Sequence, residues 1–318
     1  MPDLKVRALL GRRALDNAIN MLAQGVIISN PDGKIISVNR AFSALTGYVL
    51  NDFESKSYGQ LLNGPLTDKN TIAQIDTAHA DLAKYFGEIL HYRKGGTSFW
   101  SEITISPIFD NKGRISNFIT TTCDISERVD LYEKTKELAF FDQLTSLPNR
   151  NLLLDRLNQA LINSQRSAYY GALLFIDVDN LKLLNDQYGH EVGDLLLIEV
   201  AKRIQSSIRA NDTSSRFGGD EFVVILSEFT ANLSDSMAQV KKIVEKIVSN
   251  LAGLYLFTIK SDIKSDLLIE FRCSASIGVS LFLGNRKKPS NIIKQADMAM
   301  YEAKKIGGNQ VQFYADCK

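Results

Sequence analysis

The spacing of apolar and polar positions changes character near residue 142 of this 318-residue chain. Before it, short alternating runs dominate. Residues 3–23 place Leu4, Ala8, Leu15, Ile19 and Leu22 at mostly helical spacing, which predicts a helix. Gly25–Ser29 and Lys34–Val38 read as strands, and Asn30-Pro31-Asp32-Gly33 between them has the residues of a hairpin turn. Short helices are expected between Arg40 and Phe86. Gly87–Arg93, Thr97–Phe109 and Ile115–Asp124 read as three further strands, separated by Lys94-Gly95-Gly96 and Asp110-Asn111-Lys112-Gly113. The expected result is an antiparallel sheet with helices on one side. Residues 125–141 are charged and helical in period, with Leu131 and Leu138 seven apart. Both a solvated connector and a dimer-forming helix fit that pattern.

From residue 142 helices and strands alternate. Leu152–Ser164, Asp194–Ile208, Ser236–Ala252 and Ser290–Lys305 read as helices. Ala172–Ile176 is wholly apolar, as expected for a strand covered on both faces. Phe222–Leu226 is a second strand, and Glu270–Phe282 reads as mostly strand. The whole is therefore expected to be α+β in two domains.

Composition adds little to this picture. The chain is 45% hydrophobic and 23% charged, with ample apolar material for two cores. A formal net charge of +1 gives no global field for nucleic acid or an anionic membrane. No apolar stretch approaches the ~20 residues of a membrane span. Cys123, Cys273 and Cys317 are odd in number and far apart, which fits reduced thiols in a cytoplasmic protein. Core packing is the default expectation for Cys123 and for Trp100, the only tryptophan.

The candidate chemistry lies in Arg216-Phe217-Gly218-Gly219-Asp220-Glu221-Phe222. Adjacent glycines make a tight turn that lets a ligand approach the backbone, and two carboxylates follow. By itself this could be a surface hairpin with solvated acids. However, the strand Ala172–Ile176 runs into Asp177-Val178-Asp179, and acids at a strand end sit where α/β folds bind ligands. If hairpin and strand are neighbours, Asp177, Asp220 and Glu221 converge and need a cation. Mg²⁺ suits oxygen ligands and substrate phosphates. Lys182 and Lys304 could meet a triphosphate, and Asn185 and Asp194 a base edge.

These residues also resemble a family. Asp142-Gln143-Leu144-Thr145-Ser146-Leu147-Pro148-Asn149-Arg150, Phe175–Asp179, Asn185-Asp186, Gly189-His190, Gly193-Asp194, the Arg216–Phe222 hairpin, Ser276–Ser280 and Ala296–Lys304 are similar, in order and spacing, to a GGDEF domain over about residues 140–314. The resemblance implies a nucleotidyl-cyclase-like sheet flanked by helices. It implies a bacterial, cytoplasmic diguanylate cyclase that condenses two GTP to cyclic di-GMP and two pyrophosphates as a homodimer. Family roles then fall on Asp177, the Val178 carbonyl, Asp220 and Glu221 for Mg²⁺ or Mn²⁺. By the same resemblance Glu221, Asp220 and Lys182 would be the catalytic residues. Asn185, Asp194, Lys304, Gly218 and Gly219 would bind GTP. Arg209 and Asp212 stand at the spacing of an inhibitory product site. Leu181 replaces a usual Phe, and Gly308 stands where the family has a phosphate-contacting Arg, so that role is not carried over. The competing class is a weak or inactive GGDEF domain serving as a GTP or cyclic di-GMP receptor. Longer relatives often continue into a phosphodiesterase, so the chain could be a fragment.

Residues 14–124 resemble a PAS domain, in its LOV branch, through Asn39-Arg40-Ala41-Phe42, Leu45-Thr46-Gly47-Tyr48, Leu62-Asn63-Gly64-Pro65, Phe99-Trp100 and Asp124-Ile125-Ser126. The photoactive cysteine is missing: Ser57-Tyr58-Gly59-Gln60 has none. His91, Ser101 and Thr122 stand where flavin-binding amides are expected. A flavin–cysteinyl photocycle is therefore not expected. Haem through His79 or His91 is a second option, and the PAS ligand is otherwise unknown. The implied layout is an N-terminal helix 1–13, a sensor 14–124, a signalling helix 125–141 and a cyclase 142–318.

Overall fold

The computed structural model describes residues 14, 16–54, 56–259, 267–284 and 287–315. The predicted N-terminal helix 1–13 and Cys317 lie outside them; residues 16–21 are helical. The chain divides into two compact units between Lys134 and Thr135.

The first unit is an antiparallel sheet of β1 (Gly25–Ser29), β2 (Ile35–Val38), β3 (Tyr85–Tyr92), β4 (Ser98–Phe109) and β5 (Ile115–Asp124) in the order β2-β1-β5-β4-β3. Between β2 and β3 lie α1 (Arg40–Thr46), α2 (Tyr58–Leu62) and α3 (Lys69–Ala80). Asn39 fastens sheet to helix. Its Oδ1 accepts from Val26 N–H at 2.8 Å and, as the α1 cap, from Phe42 N–H at 2.9 Å. Inward β4 residues Phe99, Ile103 and Ile105 alternate with outward ones and pack with Ile89, Phe118, Ile27 and Phe42. Two expectations fail here. Trp100 is exposed because it falls on the opposite phase of β4 from Phe99. Cys123 is only half-buried for the same reason, next to the buried Thr122. Helix α4 (Ser126–Phe140) follows and contributes no buried residue.

The second unit centres on β6 (Gly171–Asp179), in a sheet ordered β12-β11-β6-β8-β7 with β7 (Thr213–Gly218), β8 (Glu221–Leu226), β11 (Ser274–Phe282) and β12 (Val311–Phe313). All pairings are antiparallel except β11 with β12. Helices are α5 (Arg150–Ser167), α6 (Leu181–Tyr188), α7 (His190–Ser207), α8 (Leu233–Leu251) and α9 (Pro289–Lys305). The apolar run of β6 splits by alternation. Leu174 and Ile176 join a core with α7 and α8, while Leu173 and Phe175 join one with Leu153 and Leu157 of α5 and Ile292 and Met300 of α9. At Gly278 a Cβ would collide with the α9 backbone, so only glycine allows β11 this close to the helix. The predicted strand Glu270–Phe282 is two strands. It breaks at Cys273, with β10 (Leu267–Arg272) pairing β9 (Leu254–Ile259) in a separate two-stranded sheet. The β6 strand also runs on through Asp177 and Asp179, beyond its purely apolar stretch.

Candidate active site

The β7–β8 hairpin turns through Gly219, which has φ +53, and Asp220. Pairing of β8 with β6 sets Glu221 directly opposite Asp177. Opposed residues of an antiparallel pair share a face, so the two carboxylates point the same way. The Val178 N–H donates to the Asp220 carbonyl at 3.1 Å, tying turn to strand. From α9, Lys304 Nζ lies 2.6 Å from Asp177 Oδ1. The expected neighbourhood of Asp177, Asp220 and Glu221 is therefore seen, and Lys304 pairs with Asp177 within it.

Charge crowding has consequences at each group. Burial raises the Asp177 carboxyl above its ordinary range; Lys304 opposes this and Asp220 and Asp179 add to it. Burial likewise raises Glu221, helped by Asp177, Asp220 and Asp297. Burial opposes the Lys304 charge, but Asp177 and Asp220 hold it and raise its pKa overall. The donor chemistry bears on a metal ion. Asp177 is 4% exposed, and its Oδ1 is met by the Lys304 ammonium at 2.6 Å. Such a buried anionic oxygen is costly unless a cation or donor meets it. Among the described residues no three His, Cys, Asp or Glu side chains form a ready metal cage. The donors at hand are two or three carboxylates beside a backbone carbonyl. That set suits Mg²⁺, which keeps waters and shares substrate phosphates.

Asn185 on α6 packs against α7, where a Cβ on Gly193 would collide with Asn185 Oδ1. That oxygen is buried and unpartnered. Asp194, the next residue of α7, is exposed beside it, and Lys182 is exposed in the first turn of α6. Helix α6 was not foreseen as an element, yet it carries both Lys182 and Asn185.

Arg209 and Asp212 lie at the far end of β7 from the glycine turn, roughly 20 Å along a six-residue strand. Asp212 is committed locally. Oδ2 accepts from Arg209 N–H at 3.0 Å and Oδ1 from Ser227 N–H at 3.3 Å. The Arg209 side chain is exposed.

Three residues matter that carried no site role in the sequence reading. Arg216 donates through Nε and Nη2 to the Gly219 carbonyl at 2.9 and 2.7 Å, and through Nη1 to Asp142 at 3.2 Å. It therefore clamps the turn to the segment before α5. Partial burial opposes Asp142 ionisation, but Thr145 and Arg216 hold its carboxyl below the usual range. Asp179 accepts from Ser274 Oγ at 2.6 Å, Ser276 Oγ at 2.9 Å and Asn309 N–H at 3.2 Å. It thereby fixes the Gly307-Gly308-Asn309 loop. Gly308 has φ +69, a region that favours glycine, and a Cβ there would stand 3.4 Å from Asp179 Oδ2. The signal for Arg216 and Asp142 was their place in the quoted motifs; their pairing was not readable.

Residues 139–310 match the family model described as diguanylate cyclase, GGDEF domain, and residues 23–127 match a PAS domain model. The PAS match is general and carries no LOV detail. The chain is 42% identical over 178 residues to the bifunctional diguanylate cyclase/cyclic di-GMP phosphodiesterase MucR of Pseudomonas aeruginosa, covering 56% of this chain and 24% of that protein. It is 30% identical over 299 residues to a signaling protein of Caulobacter vibrioides, covering 93% of this chain and 34% of that protein. The chain thus spans about a quarter to a third of the curated relatives it matches. A crystal structure of the coiled coil and GGDEF domain of DgcB from Caulobacter crescentus, in complex with c-di-GMP, is similar at a TM-score of 0.50 and 26% identity. The overlap covers 59% of this chain and 92% of that one. No helix among the described residues is long and apolar enough to cross a membrane.

Proposed function

The chain belongs to the diguanylate cyclase, GGDEF-domain family and carries a PAS domain, and from that premise we propose that it condenses two GTP into cyclic di-GMP, releasing two pyrophosphates. One observation carries the reading: the buried Asp177 carboxylate sits opposite Glu221 and is paired with Lys304, at the foot of the glycine turn.

Asp177, the Val178 carbonyl, Asp220 and Glu221 would hold Mg²⁺ or Mn²⁺, which when bound neutralises phosphate charge. The other work falls to the chain. Asn185 Oδ1 and the Asp194 carboxylate accept from guanine N–H groups. Gly218 and Gly219 let phosphates approach the backbone. Lys182 and Lys304 offset charge on the α-phosphate as it grows in the transition state. Glu221, its pKa raised by burial and neighbouring acids, takes the proton of the 3′-hydroxyl. The 3′-oxygen then bonds to the other nucleotide's α-phosphorus, and the bond to pyrophosphate breaks. Each subunit supplies one GTP, so a homodimer with facing half-sites is required. Product at Arg209 and Asp212 would inhibit. The PAS unit would alter how often the half-sites face.

The test is to incubate the protein with GTP and Mg²⁺ beside an Asp220→Ala, Glu221→Ala double variant and to separate the nucleotides by chromatography. Cyclic di-GMP from the parent alone is expected, with the variant down by at least about a thousandfold. Absence of product from the parent at every protein concentration, after bound cyclic di-GMP has been stripped, would overturn the proposal. Removing residues 1–124 is expected to change the rate per molecule or its concentration dependence. An unchanged rate at every concentration would overturn regulation by the PAS unit.

A further inference from the structure

The five-stranded sheet of the second unit treats its two edges differently. At β7 the chain covers its own edge, for the Arg216 N–H donates to the Pro148 carbonyl at 3.0 Å. At β12 the only strand neighbour among the described residues is β11. The parallel register fixes which of its backbone groups are left over. Ile277 N–H donates to the Gln310 carbonyl at 2.9 Å, and Tyr314 N–H donates to the Val279 carbonyl at 2.8 Å. Residues 310, 312 and 314 therefore turn their backbone groups toward β11, and Val311 and Phe313 turn theirs away. The strand, Val311-Gln312-Phe313, has no proline, no charged side chain and no bulge to protect that edge.

Apolar surface flanks the edge on both sides. Helices α8 and α9 cover opposite faces of the sheet, and each leaves a groove beside β12. On the α8 side Met237 and Val244 line it with Val311 and Phe313. Lys241 and Glu245 line the same groove, both exposed and loosely paired at 4.0 Å. On the α9 side Met298 and Tyr301 stand beside Gln312, 50% and 57% exposed.

We propose that β12 pairs antiparallel with β12 of a second copy of this chain, across a two-fold axis at Gln312. The outward groups are self-complementary. Val311 set opposite Phe313 of the second copy exchanges two N–H to carbonyl bonds with it, and the axis repeats the pair, so every outward group is used. The two sheets join into one. The same axis lays one α8 groove against the other, where Lys241 meets Glu245 of the second copy and Met237 is covered. Met298 and Tyr301 are covered on the opposite face. An axis normal to the sheet points the two glycine turns in opposite directions. This contact is therefore separate from any facing of half-sites and does not depend on the cyclase reading.

The experiment uses the full chain. In hydrogen exchange followed by NMR, the Val311 and Phe313 amides should exchange freely in dilute protein. They should slow by about tenfold or more as concentration rises, while Gln312 and Tyr314 stay protected throughout. Light scattering should give the parent at least twice the mass of Val311→Pro at the same concentration. That proline removes an outward N–H and no bond to β11, so the variant should keep its Tm. Charge supplies a second reading on an exposed helix face. Glu245→Lys should weaken the pairing, and Lys241→Glu combined with Glu245→Lys should restore it. Protection of Val311 and Phe313 at every concentration would mean that the chain covers this edge itself. Free exchange at every concentration would mean that the edge stays open. Either result overturns the proposal, as does a mass that neither Val311→Pro nor Glu245→Lys lowers.

Discussion

Buried side-chain polar atoms with few partners gather at two places: His79 and His91 in the first unit, Asp177 and Asn185 in the second. The two places treat the same deficit differently. In the second unit they are oxygens, and Asp177 stands in a field of fixed charge, with Lys304 at 2.6 Å and Glu221 opposite. Such a site suits cations, phosphates and N–H donors. In the first unit burial holds His91 neutral, in a cavity among isoleucines, hydroxyls and side-chain amides. Sparsely partnered polar groups thus mark both sites, and the charge around them separates what each can hold.

The sharpest break of this comparison is by acid. If His91 is buried neutral, the folded state resists a proton that the unfolded chain accepts near 6.5. Its contribution is then whole above 6.5 and is lost as pH falls from there to about 4. The complete loss is about 3 kcal/mol. Unfolding of the parent and of His91→Leu, followed from about pH 7.5 to about pH 4, should show a flatter acid limb for the variant. Parallel limbs would return His91 to an ordinary histidine.

Arg216→Ala probes the charged site next. It removes the clamp on Gly219 and leaves Asp142, which is 23% exposed, without its guanidinium. Loss of about 2 kcal/mol in stability is expected. A fall in cyclic di-GMP formation of about tenfold or more should accompany it, because the turn that carries Asp220 loosens. Full activity in a destabilised variant would limit Arg216 to packing.

The smallest effect separates Arg209 from Asp212. Arg209→Ala should relieve product inhibition with little change in Tm, since that side chain is exposed. Asp212→Ala should cost about 1 kcal/mol as well, because two backbone N–H groups lose their acceptor. Unchanged inhibition in both variants would remove the proposed product site.

Much of this molecule was legible from local pattern. The five strands of the first unit, α5, α7, α8, α9 and the glycine hairpin all follow from period, turn residues and apolar runs. So did the candidate site residues, because Asp177, Asp220, Glu221 and Asn185 stand in ordered motifs whose spacing is linear information. The readings that failed depended on phase or on partners distant in the chain. Trp100 and Cys123 face outward because strand alternation, not hydrophobicity, chooses their side. Cys273 ends one strand and admits another because β9 claims β10 while β6 claims β11.

The sequence by itself determined the family, the elements and the chemical types available. Only tertiary structure decided which side chains meet. It alone set Asp177 opposite Glu221 from residues 44 positions apart, joined Arg216 to Asp142, and buried His91 edge-on against Tyr58. The reason is physical. Periodicity and turn chemistry act over a few residues, whereas burial, charge and hydrogen-bond satisfaction depend on neighbours that only strand register and helix packing select.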